Sequence, residues 1–113
     1  MSAVDAQRRA TSYSNFGSFI DVAAPGGDNG DDFNGDGYPD GVLSTAGSIT
    51  ESGSVSFVYS FLSGTSMAAP HVAGVIALMK SVNRDLSPKD IDILLAQGDL
   101  SDDLGTTGRD DTF

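Results

Sequence analysis

Apolar residues in the first quarter of the chain fall into two short runs separated by a polar stretch. Residues 2–5 form the first run, and the polar residues 6–17 predict a loop. Residues 19–24 form the second run, whose mainly apolar content is typical of a strand covered on both faces, as in a parallel sheet. Pro25 and Gly26 should end that strand. The pattern therefore predicts two strands that need cover from other elements.

Two further strands are predicted in the middle of the chain. Residues 41–47 form a short one. Residues 55–62 show apolar residues alternating with serine, which is typical of a strand buried on one side only. The apolar face of this half-buried strand would carry Val55, Phe57, Tyr59 and Phe61.

The apolar spacing becomes helical from about residue 65 to about residue 80. Residues 72–79 are apolar almost throughout, so this helix has almost no polar face and should be a central buried helix. Small residues would allow another backbone to approach it closely. These residues are Ala68, Ala69, Ala73 and Gly74.

A second helix is predicted from its end signals. Ser87 is a good N-cap residue, Pro88 follows at the first helical position, and Asp90 stands three residues after the cap. The helix should end near Gly98. The residues after it, 101–113, are rich in turn formers and predict no further element.

Composition limits the classes of function. The 113 residues are 39% hydrophobic, which suits one small ordered domain. The formal net charge of -10 argues against nucleic acid and against an anionic membrane surface as partners. The chain has no cysteine, no apolar run long enough to span a membrane and no signal peptide after Met1.

The stretch GTSMAAPHVAG, residues 64–74, is typical of the nucleophile segment of a serine hydrolase. Ser66 follows a glycine turn and stands at a helix start, where its backbone N–H could donate to an oxyanion. The one histidine, His71, is five residues further on. It would lie roughly 140° around the helix and about 7.5 Å along its axis, out of reach of the hydroxyl. A buried histidine that hydrogen-bonds a neighbouring backbone group is the favoured interpretation.

These motifs carry a resemblance that covers nearly the whole chain. The segment GTSMAAPHVAGVIALMK resembles the nucleophile motif of the subtilisin-like serine proteases (subtilases). SAVDAQRRATSYSNFGSFIDVAAPGG is similar to the family segment that precedes the motif, and the similarity continues through LSPKDIDILLAQGDLSDDLG. The resemblance implies a secreted serine endopeptidase that cleaves peptide substrates through an acyl-enzyme on Ser66.

The resemblance also implies an α/β fold of which this chain is one part. The family has three layers, with helices on both sides of a parallel sheet, and residues 1–113 match its C-terminal portion, which would be incomplete on its own. The family's catalytic Asp, His and oxyanion Asn would precede Met1, and His71 matches a non-catalytic family histidine. We therefore expect the isolated chain to be inactive, and to oligomerise, swap elements or bind an upstream partner. The alternative is a non-catalytic, calcium-binding fragment or pseudoenzyme that associates with a complementary chain.

An aspartate-rich loop insertion at residues 26–41 predicts a structural calcium site. The run DFNGDGYPD has the spacing of a calcium loop, with Gly37 at the sharp turn. Leu43 replaces the usual bidentate glutamate at position 12, so the pattern is not a complete EF-hand, and a solvated acidic turn is the alternative. Magnesium is disfavoured because it prefers few carboxylates and several waters. The predicted ligands at positions 1, 3, 5, 7 and 9 are Asp32, Asn34, Asp36, the Tyr38 carbonyl and Asp40.

Overall fold

A computed structural model describes residues 1–102 and 104. In that range the chain forms four strands and two helices. The elements are β1 (Ser2–Val4), β2 (Ala23–Pro25), β3 (Val42–Ile49), β4 (Val55–Leu62), α1 (Thr65–Val82) and α2 (Pro88–Gln97). The turn-rich tail predicted for residues 101–113 lies almost wholly outside the described residues.

The strands form two separate pairs. Strands β1 and β2 pair in parallel, with Ala3 opposite Ala24. Strands β3 and β4 pair in an antiparallel hairpin, whose register runs from Val42 opposite Leu62 to Ile49 opposite Val55. The mixture of strands and helices agrees with the predicted α/β class. The first pair, with its parallel strands, also agrees with the prediction of a parallel sheet.

The strand predicted at residues 19–24 is wrong in its position. Ile20 donates its amide hydrogen to the carbonyl oxygen of Gly17 at 3.0 Å, so the backbone turns where an extended strand was expected. Phe19 is 93% exposed as a result. Strand β2 begins only at Ala23 and includes Pro25, which was expected to stop it. The turn prevails because its bond is local, whereas the strand would need partners on both sides.

The predicted lengths of β3, β4 and α1 are close to the observed lengths, but the burial predicted for β4 and α1 is not observed. Helix α1 packs mainly against β1 and β2, and Ala68 is its buried residue. Val82, near the other end of α1, is 91% exposed. The face of β4 that was expected to be half-buried is open as well, with Phe57 at 87% and Tyr59 at 75% exposure. On the β4 face, Tyr38 stacks on Phe61, while Phe57 and Tyr59 stay exposed.

Helix α2 follows its predicted end signals. The Ser87 hydroxyl accepts a hydrogen bond from the Asp90 amide at 3.3 Å, and the Asp90 carboxylate accepts one from the Ser87 amide at 2.7 Å. Together these bonds form a capping box, with Pro88 at the first helical position. Gly98 closes the helix in a left-handed conformation. The prediction of this helix is confirmed at both ends.

The core of the described chain is small and lies where α1 begins. Ala3 of β1, Ala24 of β2 and Ala68 of α1 form its buried centre. Met1, Tyr13 and Val72 pack around them. Because all three central side chains are methyl groups, the backbones of the two strands and the helix lie close together. Among the described residues, no helix is long and apolar enough to cross a membrane.

Candidate active site

Ser66 lies in the first turn of α1, next to the residue at which the helix begins. Gly64 is the N-cap residue, with φ 150° and ψ 163°, a conformation that side-chain-bearing residues rarely adopt. Its carbonyl oxygen accepts the amide hydrogens of Met67 at 2.9 Å and Ala68 at 3.3 Å. The Ser66 amide is therefore one of the first-turn donors that have no acceptor within the helix.

The Ser66 hydroxyl stands on the surface of the described chain. The accessible Ser66 hydroxyl oxygen thus lies next to the Ser66 backbone N–H, which stands at the positive, N-terminal end of an 18-residue helix. This is the arrangement that a serine nucleophile needs for its own amide to help stabilise an oxyanion. The structure places Ser66, the predicted nucleophile, in the first turn of α1.

The turn before Ser66 is fixed to the carboxyl ends of β1 and β2. Gly64 donates its amide hydrogen to the Gly26 carbonyl oxygen at 3.0 Å. Gly26 in turn donates to Val4 at 2.9 Å. A Cβ on Gly26 would lie 2.6 Å from the Ala3 Cβ and 3.0 Å from the Gly64 carbonyl oxygen. Only glycine fits here, since the two backbone segments approach to contact distance.

His71 is not placed to act on Ser66. Its Nδ1 donates to the carbonyl oxygen of Met67, one turn earlier in α1, at 2.8 Å. The expected bond to a neighbouring backbone group is therefore present. The expected burial is wrong, because His71 is exposed on the helix surface. Since the sequence has no second histidine, it contains no imidazole base for Ser66.

The predicted calcium loop is organised around Asp32. One carboxylate oxygen of Asp32 accepts the amide hydrogens of Gly35 at 2.8 Å and Asp36 at 3.2 Å. The other accepts the amide hydrogen of Gly37 at 3.0 Å. Three consecutive backbone amides thus donate to the side chain of the first predicted ligand.

The remaining predicted ligands continue this winding. Asn34 Oδ1 accepts the Asp36 amide hydrogen at 2.8 Å, and Asp36 Oδ1 accepts that of Tyr38 at 2.8 Å. Asp40 Oδ2 accepts the Phe33 amide hydrogen at 2.6 Å, which closes the loop. All five predicted ligands therefore belong to one folded loop.

Bringing the ligands onto one loop does not bring their carboxylates together. Within residues 1–102 and 104, no group of three or more His, Cys, Asp or Glu side chains is arranged closely enough to hold a metal ion. The carboxylates of Asp32, Asp36 and Asp40 repel one another and bond to loop amides instead. The donor set is nevertheless made only of oxygen atoms, the ligand type that calcium takes.

The aspartate-rich loop is joined to its surroundings by backbone and aromatic contacts. The Asp28 amide donates to the Asp40 carbonyl oxygen at 3.0 Å, and the Asp40 amide donates to that of Asp31 at 2.8 Å. The Tyr38 ring stacks on Phe61 of β4, with 6.0 Å between ring centroids. The loop therefore contacts the strand that leads into the Ser66 turn.

Arg9 links the end of β1 to the aspartate-rich loop. Its guanidinium bonds to the buried Asp5 carboxylate at 2.7 Å and lies 3.8 Å from an oxygen of Asp31. It also covers the Phe33 ring, with 4.5 Å from Cζ to the ring centroid. Burial raises the pKa of Asp5, but hydrogen bonds from Arg9 and from the Gln7 amide lower it by more. The pKa of Asp5 is therefore below its ordinary value.

Arg9 and Tyr13 contact the site from the first loop, and Asp5 holds Arg9; no sequence pattern singled out these three residues. Tyr13 lies within the polar stretch 6–17, and its hydroxyl donates to the Gly27 carbonyl oxygen. An aromatic residue in a polar loop indicates that its ring packs against another part of the chain, but the sequence does not identify that part. The contacts of Arg9 with Asp31 and of Tyr13 with Gly27 join residues that are distant in the sequence, so no local pattern predicts them.

Comparison with known proteins gives consistent matches to one family. The model of the subtilase family matches residues 1–111. The thermophilic serine proteinase of Bacillus sp. strain AK1 is 38% identical over 106 residues, which are 94% of this chain and 20% of that protein. Thermitase of Thermoactinomyces vulgaris is 34% identical over 108 residues, which are 96% of this chain and 30% of that protein.

An extracellular protease of Xanthomonas campestris pv. campestris is 46% identical over 86 residues, which are 74% of this chain and 12% of that protein. The chain thus spans between 12% and 30% of the length of these three relatives. No solved structure gives a significant match.

Proposed function

The chain belongs to the subtilase family, and from that membership we propose that it carries the nucleophile of a serine endopeptidase. Ser66 Oγ attacks the carbonyl carbon of a peptide bond, and its proton passes to a base. The Ser66 amide donates to the oxyanion that forms. The amine leaves with a proton and an acyl-enzyme ester remains on Ser66, which water then hydrolyses to free the serine.

One observation supports this proposal above the others. Ser66 combines an exposed hydroxyl with a first-turn amide, on a helix start that is fixed by the hydrogen bond between Gly64 and Gly26. This combination supplies a nucleophile and an oxyanion donor in one residue. A serine that served only as a helix-start residue would not require the close packing of Gly26 behind it.

We propose that the base and its supporting carboxylate come from another part of the complete protein. His71 is the one histidine in this sequence, and its Nδ1 is bonded to Met67. Members of a catalytic triad act as a unit, so the nucleophile without its base retains little rate enhancement. The chain by itself is therefore proposed to be inactive, while the longer protein hydrolyses peptide bonds.

A fluorophosphonate probe with intact-mass detection tests this proposal. The probe labels only an activated serine, so we expect no labelling of the chain alone. In the complete protein we expect one label, which is lost in Ser66→Ala and retained in the matched control Ser63→Ala. A label that persists in Ser66→Ala would show that the nucleophile lies elsewhere.

The second candidate function is non-catalytic association with a complementary chain. The apolar faces of α1 and of the hairpin support it, since Val75, Leu78, Phe57 and Tyr59 are all exposed. Exposed apolar area of this extent is characteristic of a surface that binds another protein. This candidate and the first are compatible if the complementary chain also supplies the base. Sedimentation of the chain over a concentration series distinguishes a monomer from a self-associating species.

We further propose that the loop at residues 31–40 binds calcium in a structural role. Its oxygen ligands alternate along the sequence in the calcium-loop order, and five aspartates between residues 28 and 40 repel one another unless a cation neutralises them. Because Tyr38 stacks on Phe61, ordering this loop would also order the strand before Ser66. The protein is proposed to act outside the cell, where calcium is abundant. The name of the Xanthomonas relative describes that protein as extracellular.

A further inference from the structure

Tyr13 connects the first loop to the segment that holds the Ser66 turn. Its ring is half-buried and packs against the cluster of Ala3, Ala24 and Ala68. Its hydroxyl donates a hydrogen bond to the carbonyl oxygen of Gly27. The side chain therefore has one end in the small core and the other end on the backbone just after β2.

The segment that Tyr13 contacts is buried and has no side chains of its own. Gly26 and Gly27 are both buried. The Cα hydrogen of Gly26 that a Cβ would replace points between two oxygens, since such a Cβ would lie 2.8 Å from the Tyr13 hydroxyl and 3.0 Å from the Gly64 carbonyl oxygen. The tyrosine hydroxyl and the helix start thus both lie against the same side of Gly26.

Backbone hydrogen bonds alone connect Gly26 to the helix turn that contains Ser66. The Gly26 carbonyl oxygen accepts the Gly64 amide hydrogen, and the Gly64 carbonyl oxygen accepts those of Met67 and Ala68. A shift of the segment at residues 26–27 would therefore move the first turn of α1. Ser66 lies in that turn, so both its hydroxyl and its amide would move.

We propose that Tyr13 is a positioning residue for Ser66, acting through the Gly26–Gly64 hydrogen bond. The inference rests on the proposed function of Ser66 as the nucleophile. The oxyanion donor and the nucleophile must both be placed accurately, and a misplacement of about 1 Å can reduce the rate roughly 100-fold. Glycine offers no side chain to hold such a segment in place. The Tyr13 hydroxyl supplies the missing restraint.

Tyr13→Phe tests the proposal, because it keeps the ring in the core and removes only the donated hydrogen bond. Tyr59→Phe is the matched control, since that ring is 75% exposed on the hairpin. In the 15N-labelled chain we expect the Gly64 amide to exchange with solvent roughly fivefold to tenfold faster in Tyr13→Phe, as expected for the loss of about one hydrogen bond. Amides of α2 should exchange at the wild-type rate in both variants. An unchanged Gly64 exchange rate would overturn the proposal.

A kinetic measurement on the complete protein separates positioning from general stability. We expect Tyr13→Phe to lower kcat at least threefold with little change in KM, because the restraint acts on Ser66 and not on substrate contacts. An equal loss in Tyr59→Phe, or a change confined to KM, would contradict the positioning role. Failure of the nucleophile assignment appears separately, as probe labelling that survives Ser66→Ala.

Discussion

Gly64 donates its amide hydrogen to the carbonyl oxygen of Gly26 at 3.0 Å, and this bond fixes the start of helix α1 to the end of strand β2. Gly64 itself accepts the first amide hydrogens of the helix. The placement of Ser66 is therefore set by a contact between two glycines that are 38 positions apart in the sequence. A side chain at position 26 would hold these backbones apart, whereas position 64 requires glycine for its φ of 150°.

Gly26→Ala should displace the Ser66 turn. The new Cβ would lie 2.6 Å from the Ala3 Cβ and 3.0 Å from the Gly64 carbonyl oxygen, and backbone atoms cannot give way easily. We expect a loss of about 1–3 kcal/mol in the free energy of unfolding, typical of an overpacked site. Urea denaturation followed by circular dichroism measures it.

Gly47→Ala is the matched control for this substitution. Its Cβ would have the Ser56 carbonyl oxygen as nearest neighbour, at 3.9 Å, which is ordinary contact distance. Its stability should remain within about 0.5 kcal/mol of the wild type. Equal denaturation midpoints for the two variants would mean that Gly26 is not closely packed in solution.

The ends of the helices could be predicted from the sequence because the signals that set them are local. Ser87, Pro88 and Asp90 act on one another within a single turn, and the structure shows the capping box that they predict. Gly64 similarly precedes Ser66 by two positions and marks the helix start. Interactions within one turn require no knowledge of the rest of the fold.

Burial and long-range contacts could not be predicted in the same way. Helix α1 is apolar enough to be buried, but burial depends on what packs against it, and in the described chain this is chiefly the small surface around Ala3 and Ala24. Tyr13 and Arg9 act on the site through partners far along the sequence. The strand predicted at 19–24 was wrong because the local bond between Ile20 and Gly17 competes with pairing.

The capping box predicts a pH dependence for helix α2. Hydrogen bonds from the Ser87 side chain and backbone lower the pKa of Asp90 below its ordinary value. A lowered pKa means that the ionised carboxylate stabilises the helix at pH values above its unfolded pKa, and that this contribution is lost as pH falls through the folded pKa. Ser87→Ala should raise the Asp90 pKa, as carbon-detected NMR titration would show. Ser81→Ala, outside the box, is the control and should leave that titration unchanged.

Arg9→Ala should make the chain more sensitive to acid. Alanine keeps the backbone amide that bonds Asp5 but removes the guanidinium, so burial raises the pKa of Asp5 with less opposition. The stabilisation from ionised Asp5 is present above the unfolded pKa and is lost as pH falls through the folded pKa, and the folded pKa is now higher. The midpoint of acid unfolding should therefore move to higher pH. Arg84→Ala, at an exposed position, should leave the midpoint unchanged; an equal shift in both variants would point to net charge alone.

Terbium binds the same oxygen ligands as calcium and can be used to test the predicted site. Tyr38 would offer its carbonyl at position 7, so its ring would lie close to the bound ion. Light absorbed by Tyr38 should therefore excite terbium emission. Calcium should displace the terbium. Asp36→Asn should weaken binding by about tenfold or more, since it removes one charge from the ligand set. Asp92→Asn, in α2, is the control with the same change in net charge and should bind as the wild type. In Tyr38→Phe the emission should fall while calcium binding measured by calorimetry persists. Identical affinities for Asp36→Asn and Asp92→Asn would mean that the loop is only a solvated acidic turn.

Gly74→Ala distinguishes a helix that is free in solution from one that is covered by a partner. Gly74 lies inside α1, and a Cβ there would meet nothing within 4 Å in the described chain. Alanine should therefore stabilise the helix of the isolated chain by about 0.5–1 kcal/mol, raising its thermal midpoint in circular dichroism. If α1 packs closely on a complementary chain or on the rest of a longer protein, the same methyl group should weaken that association, measured by calorimetric titration. Lys80→Ala, at an exposed position near the end of the helix, provides a comparison that adds no atoms to the small-residue face. Unchanged association in Gly74→Ala would show that this face of α1 stays open, and the proposed partner would then have to cover the hairpin alone.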